Sequence, residues 1–128
     1  MADTEKITIN LSVVDLGKID LLVHEGFYSN RTDFMRAAAR RQLDMHAEEV
    51  GKSVSRNEYM VGVLVHTREG LERRLKKGER LSIRVVGMFV ITDDVSPELA
   101  EQTIDYVNVL GVFKANKAIR AALEGRIR

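Results

Sequence analysis

The sequence predicts an α+β fold in two parts: a strand with two helices in residues 1–47, then a small repeat of strands and helices over residues 59–128. Three observations predict it. Residues 5–11 alternate strictly between polar and apolar side chains. Apolar residues then recur at helical spacing behind two separate capping positions. Finally, three similar segments carry a glycine in the same place, at Gly62, Gly87 and Gly111, with periods of 25 and 24. A period of two marks a strand and spacings of three and four mark a helix, while a recurring unit marks a repeat architecture.

The first element is the stretch Glu5–Leu11. Ile7, Ile9 and Leu11 fall on one face and Lys6, Thr8 and Asn10 on the other, as in a short half-buried strand. Ser12 can cap the helix that follows, with Asp15 in the position of a capping box. Leu16, Ile19, Leu22 and Val23 give that helix its apolar face, and Gly26 is placed to end it in a left-handed conformation. Ser29 and Asn30 form a second capping pair, and Asp33 lies in the first turn, where the helix dipole favours an anion. Phe34, Ala37, Ala38 and Leu43 face the core from the second helix, which runs from Arg31 to about His46.

Residues 48–58 are polar, with Gly51, Ser53 and Ser55, and read as a linker. Beyond them Val61-Gly-Val-Leu-Val-His-Thr67 aligns with Val86-Gly-Met-Phe-Val-Ile-Thr92 and with Leu110-Gly-Val-Phe-Lys-Ala-Asn116. The helical tails align as well, through Leu71 and Leu75, Val95 and Leu99, Ile119 and Leu123, and the first copy carries one extra residue before Leu71. Each unit therefore reads as a strand through a glycine, a polar turn and a short helix. Pro97 fits the first turn of the second of these helices. A small parallel sheet or a solenoid with stacked glycines satisfies this pattern, and the register of the glycines favours the solenoid.

Composition excludes several classes. The chain has no cysteine, hence no disulfide, thiolate metal site or cysteine nucleophile. Its apolar runs are too short to span a bilayer, and Met1–Lys6 lacks the features of a secretory leader, so a cytoplasmic protein is expected. The net charge is only +1. Arg31, Arg36, Arg40 and Arg41 are nevertheless gathered in one helical segment, while Asp93, Asp94, Glu98, Glu101 and Asp105 make the second repeat acidic between two basic ones. Such patches suit either solvated helices or head-to-tail association of repeat domains. Nothing in the sequence groups a nucleophile, a base and an oxyanion donor, so neither an enzyme nor a cofactor is expected.

One strand and two helices are too small a core to stand alone, and the economical remedy is a second chain. In the antiparallel pair that results, two strands form a ribbon and four helices share a core. Ile7-Thr-Ile-Asn-Leu11, the helix ending at Gly26, and Gly26-Phe-Tyr-Ser-Asn-Arg-Thr-Asp-Phe34 with its Ala- and Arg-rich continuation together resemble the ribbon-helix-helix family of Arc, MetJ and CopG type over residues 5–46. The C-terminal part is not assigned to a family.

The resemblance implies a homodimeric DNA-binding transcriptional regulator with its ribbon in the major groove. Lys6, Thr8 and Asn10 would then contact bases, the first suited to guanine and the last to adenine. Ser29, Asn30 and Arg31 would contact phosphate, since a helix N-terminus offers free N–H groups and Arg31 adds a charge. One branch of the family senses nickel through clustered His and Cys in its C-terminal domain. Here that region has only His66, so no metal site is expected. Double-stranded DNA and a second copy of the chain are the expected partners, with tetramers or larger assemblies through residues 59–128. An antitoxin-type repressor, or an assembly protein that uses the N-terminal module only to dimerise, are the alternatives.

Overall fold

The computed structural model describes residues 4–128. They divide into two units, Lys6–Ser53 and Val54–Arg128, the second of which also takes in Thr4 and Glu5. Residues 4–12 belong to no strand. The strand expected over 5–11 lacks a ladder partner among the described residues, and a strand exists only through the hydrogen bonds that it shares.

Helix α1 (Val13–His24) begins at Ser12, whose hydroxyl accepts from the Asp15 N–H at 3.1 Å. It ends as expected at Gly26, where φ is +87°. The Gly26 N–H reaches Val23 O and the Phe27 N–H reaches Leu22 O, the two bonds of a Schellman closure. Helix α2 (Arg31–Met45) follows the Asn30 cap. The segment read as a linker, 48–58, is mostly helical: α3 spans Ala47–Arg56. Gly51 and the serines lower its helix propensity, but the Val50 N–H bonds to His46 O and Lys52 pairs with Glu48 one turn back. Glu58, with φ of +57°, turns the chain out of this helix into the sheet.

The second unit is built of strands β1 (Met60–His66), β2 (Leu81–Ile91) and β3 (Ile104–Lys114), with helices α4 (Arg68–Lys76), α5 (Pro97–Thr103) and α6 (Lys117–Ala122) after them. The three strands form one parallel sheet in the order β1-β2-β3. The repeat read from the sequence is the register of this sheet: Gly62 pairs with Gly87, and Gly87 with Gly111. Thr67, Ser96 and Asn116 cap the three helices, each accepting from the N–H three residues on.

One side of the sheet is covered. Ile83, Val85, Phe89, Ile91 and Val107 point into a core closed by Leu71, Val95, Leu99, Ile119 and Leu123 from the helix layer. In the acidic second repeat the Asp105 carboxylate is paired with an arginine of its own chain, Arg80. Arg80 also donates to Gln102 O and Glu101 O. Arg126 donates to Glu101 O and Ile104 O. The tail then crosses to β3, with bonds of 2.9 and 2.8 Å that join Val107 to Arg126 and Arg128.

Candidate nucleic-acid interface

The unit Lys6–Ser53 holds every residue expected at a DNA surface. Lys6, Thr8 and Asn10 are exposed. So is the opposite side of the alternation, with Ile7 at 80%, Ile9 at 53% and Leu11 at 43%. A half-buried strand therefore has neither half buried in the single chain.

The start of α2 is more ordered than a simple cap. Asn30 Oδ1 accepts from the Asp33 N–H at 2.8 Å, and Asp33 Oδ2 accepts from the Ser29 N–H at 2.9 Å. This reciprocal clasp fixes the backbone of Ser29 and Asn30. The N–H groups of Arg31 and Thr32 come before the first intrahelical bond, from the Phe34 N–H to Asn30 O, and so point out of the helix end. An anion placed there would meet donors and the positive end of the dipole.

Arg31 is engaged elsewhere. Its guanidinium forms a two-pronged pair with Asp20 of α1, Nε to Oδ1 at 2.8 Å and Nη2 to Oδ2 at 2.9 Å. The hydrogen bonds and charge of Arg31 hold the Asp20 carboxyl below the usual carboxylate range, and Asp20 raises Arg31 in return. Sequence reading brings Ser29, Asn30 and Arg31 together as one phosphate site, whereas in the single chain Arg31 ties α2 to α1. Asp20, the residue that it missed, lies eleven positions away across a glycine turn, and no local spacing signals the pair. Arg36, Arg40 and Arg41 are exposed along α2.

The apolar side of the unit is unfilled. Ile19, at 7%, is its only buried hydrophobic residue among those described. Leu11, Ile19, Leu22, Phe34, Met35 and Ala38 line a cleft of about 380 Å³, beside which Phe34 meets Tyr28 edge to face at 5.1 Å. Val14, Leu21 and Leu43 are each more than half exposed.

His66, the one histidine of the repeat region, is buried against Phe89. Burial, with the nearby Arg74 charge, pushes its pKa below the ordinary value of 6.5. Among the described residues, no group of three or more His, Asp or Glu could hold a metal ion, and no helix is long and apolar enough to cross a membrane.

A family model described as the ribbon-helix-helix transcriptional regulator family matches residues 2–120. The match runs past the N-terminal module into β3 and α6, so it takes in the sheet unit that sequence alone does not assign to a family. No curated protein matches the chain, and no solved structure does.

Proposed function

This chain belongs to the family of ribbon-helix-helix transcriptional regulators, and from that premise we propose that it is a sequence-specific repressor, acting in the cytoplasm as a homodimer through its N-terminal unit. The observation that carries the reading is the empty core of that unit. Ile7, Ile9 and Leu11 stand exposed on alternate positions, Leu11 lines an apolar cleft, and Ile19 is the unit's only buried hydrophobic residue among those described. A second copy would supply the missing strand partner and the missing half of the core at once.

In such a dimer the apolar face of the ribbon turns inward and Lys6, Thr8 and Asn10 of both chains turn outward. A two-stranded ribbon of that kind enters the major groove, where Asn10 suits adenine and Lys6 suits guanine. Ser29 and Asn30 present the start of α2 to a phosphate. Arg31 joins them if the DNA phosphate competes with Asp20 for its guanidinium. The sheet unit serves assembly, as a short solenoid-like stack.

Mobility shift of the full chain on a duplex from upstream of its own gene tests the reading. Asn10→Ala should lose about 1–3 kcal/mol of specific binding, with little change in folding because the side chain lies outside the core. Wild-type discrimination between that duplex and random DNA by the Asn10→Ala protein would refute the base-contact assignment.

A further inference from the structure

Parallel sheets are normally covered on both faces, because crossover helices pack on each. Here the helices close only one. The other face is a grid set by the register. Its rows are Val61-Val86-Leu110, Val63-Met88-Val112 and Val65-Val90-Lys114, aliphatic except at one corner. Val61 is 64% exposed, Leu110 54%, Val63 44% and Val65 43%. In the central strand Met88 and Val90 are buried at 7%, and Thr4 and Glu5 share a groove with Val63, Met88 and Val112, so the open apolar surface lies on the outer strands. Along one border lie polar and aromatic groups. Arg84 and Arg128 stand over the Tyr106 ring at 4.9 and 5.5 Å, and Asn108 donates to the Tyr59 hydroxyl at 3.1 Å. An aliphatic centre beside an Arg/Tyr rim is the anatomy of a protein interface.

We propose that this helix-free face packs against the same face of a second copy of the chain, within the dimer that the N-terminal units form. The proposal rests on the dimeric reading of those units. Size and charge select the occupant. From strand spacing and rise, the grid covers on the order of 300 Å² per copy, or about 600 Å² for two. A stable free-standing interface needs about 1,200–2,000 Å². A freely diffusing partner would therefore bind this face weakly, whereas a copy already tethered nearby sits at an effective concentration in the millimolar range.

Side-by-side extension of the sheet is opposed by charge. The cleft along β1 is lined by Arg73, Arg74, Lys77 and Glu79, with Arg74 paired to Glu79 and Arg73 to Glu69, which leaves Lys77 as the cation outside these pairs. At the opposite end of the stack lie Lys117 and Arg120, with Arg126 and Arg128 of the tail. An end-to-end array would bring Lys77 towards these cations and would have to displace the tail that already bonds to Val107 of β3, whereas the grid carries one charged residue, Lys114, at its corner. Face-to-face packing avoids both conflicts.

The chain has no cysteine, which makes single-thiol probes clean. Val112→Cys lies in the central row of the face and, unlike the buried Met88 beside it, is half-buried, and Val86→Cys is the second probe should the first perturb folding. The full-length protein is treated with a short bismaleimide, with Glu98→Cys on the helix layer as control. The central thiol should cross-link chain to chain about tenfold or more faster than the control, as tethering predicts. Adding Val63→Asp, tolerated in a lone chain because the site is exposed, should abolish that excess while sedimentation still reports a dimer. A dimer by sedimentation without excess cross-linking, or cross-linking indifferent to Val63→Asp, overturns the proposal and leaves the N-terminal reading intact. A monomer by sedimentation overturns both.

Discussion

At the scale of single residues, Arg31 and His66 carry the most testable chemistry. Arg31 is held by Asp20, so its two roles make different demands. If the guanidinium transfers to a DNA phosphate, Arg31→Ala should weaken binding to specific and random duplexes alike. The slope of log affinity against log salt should flatten by about one phosphate per subunit. Asp20→Asn should leave the slope at its wild-type value or steepen it, because it frees the guanidinium. Thermal stability should hardly move in either variant, since the pair is solvent-exposed. An unchanged slope in Arg31→Ala would leave the residue a tie between helices. His66 makes a prediction about pH. Its pKa is depressed in the folded chain by burial and by Arg74, so the unfolded chain binds the proton first as pH falls. Stability should therefore drop on going below about 6.5, the ordinary histidine value, until the folded-state pKa is reached. His66→Gln should remove that part of the drop, as read by thermal melts at pH 7.5 and at successive acid steps. A wild-type acid profile in His66→Gln would assign the loss to other groups.

The elements show which signals a sequence carries plainly. The caps at Ser12 and Asn30, the stop at Gly26 and the sheet register were legible because each depends on a few neighbouring residues or on a strict period. Helix α3 was not, since Gly51, Ser53 and Ser55 look like a linker and nothing local announces the Lys52–Glu48 pair that supports it. The strand at 5–11 is a further kind of case: its alternation is readable, but a ladder is a property of two segments and one chain offers only one. The glycine column gives the sharpest prediction at this scale. A Cβ on Gly87 would come within 2.1 Å of Gly62 O, and one on Gly111 within 2.0 Å of Gly87 O, whereas one on Gly62 meets nothing within 4 Å. All three have φ between +126° and +138°. Gly62→Ala should thus bear only the backbone strain, about 1–3 kcal/mol. Gly87→Ala and Gly111→Ala add a clash with rigid backbone and should prevent the sheet from closing. Urea unfolding of the three variants, followed by far-UV circular dichroism, separates them; equal losses would refute the steric ordering.

For the whole molecule, the contrast between the units governs stability. The sheet unit holds nearly all of the buried hydrophobic residues, while the helical unit buries only Ile19 among its described ones. Folding of the helical unit should then be inseparable from association, and its melting point should climb with protein concentration. Ile9→Glu, on the face that the proposed ribbon would turn inward, should unfold that unit selectively while the sheet signal persists. A melting point independent of concentration would mean that the unit stands alone. The glycine column also constrains how such a chain can change over generations. A copying error that adds or deletes one whole unit of 24 or 25 residues preserves the stacking, because each unit meets only its neighbours. A single codon inserted within a strand would instead shift its glycine out of line and turn every later side chain of that strand to the wrong face. Lineages descended from this chain should differ in length by whole units or within loops, where the first unit already carries one extra residue ahead of Leu71.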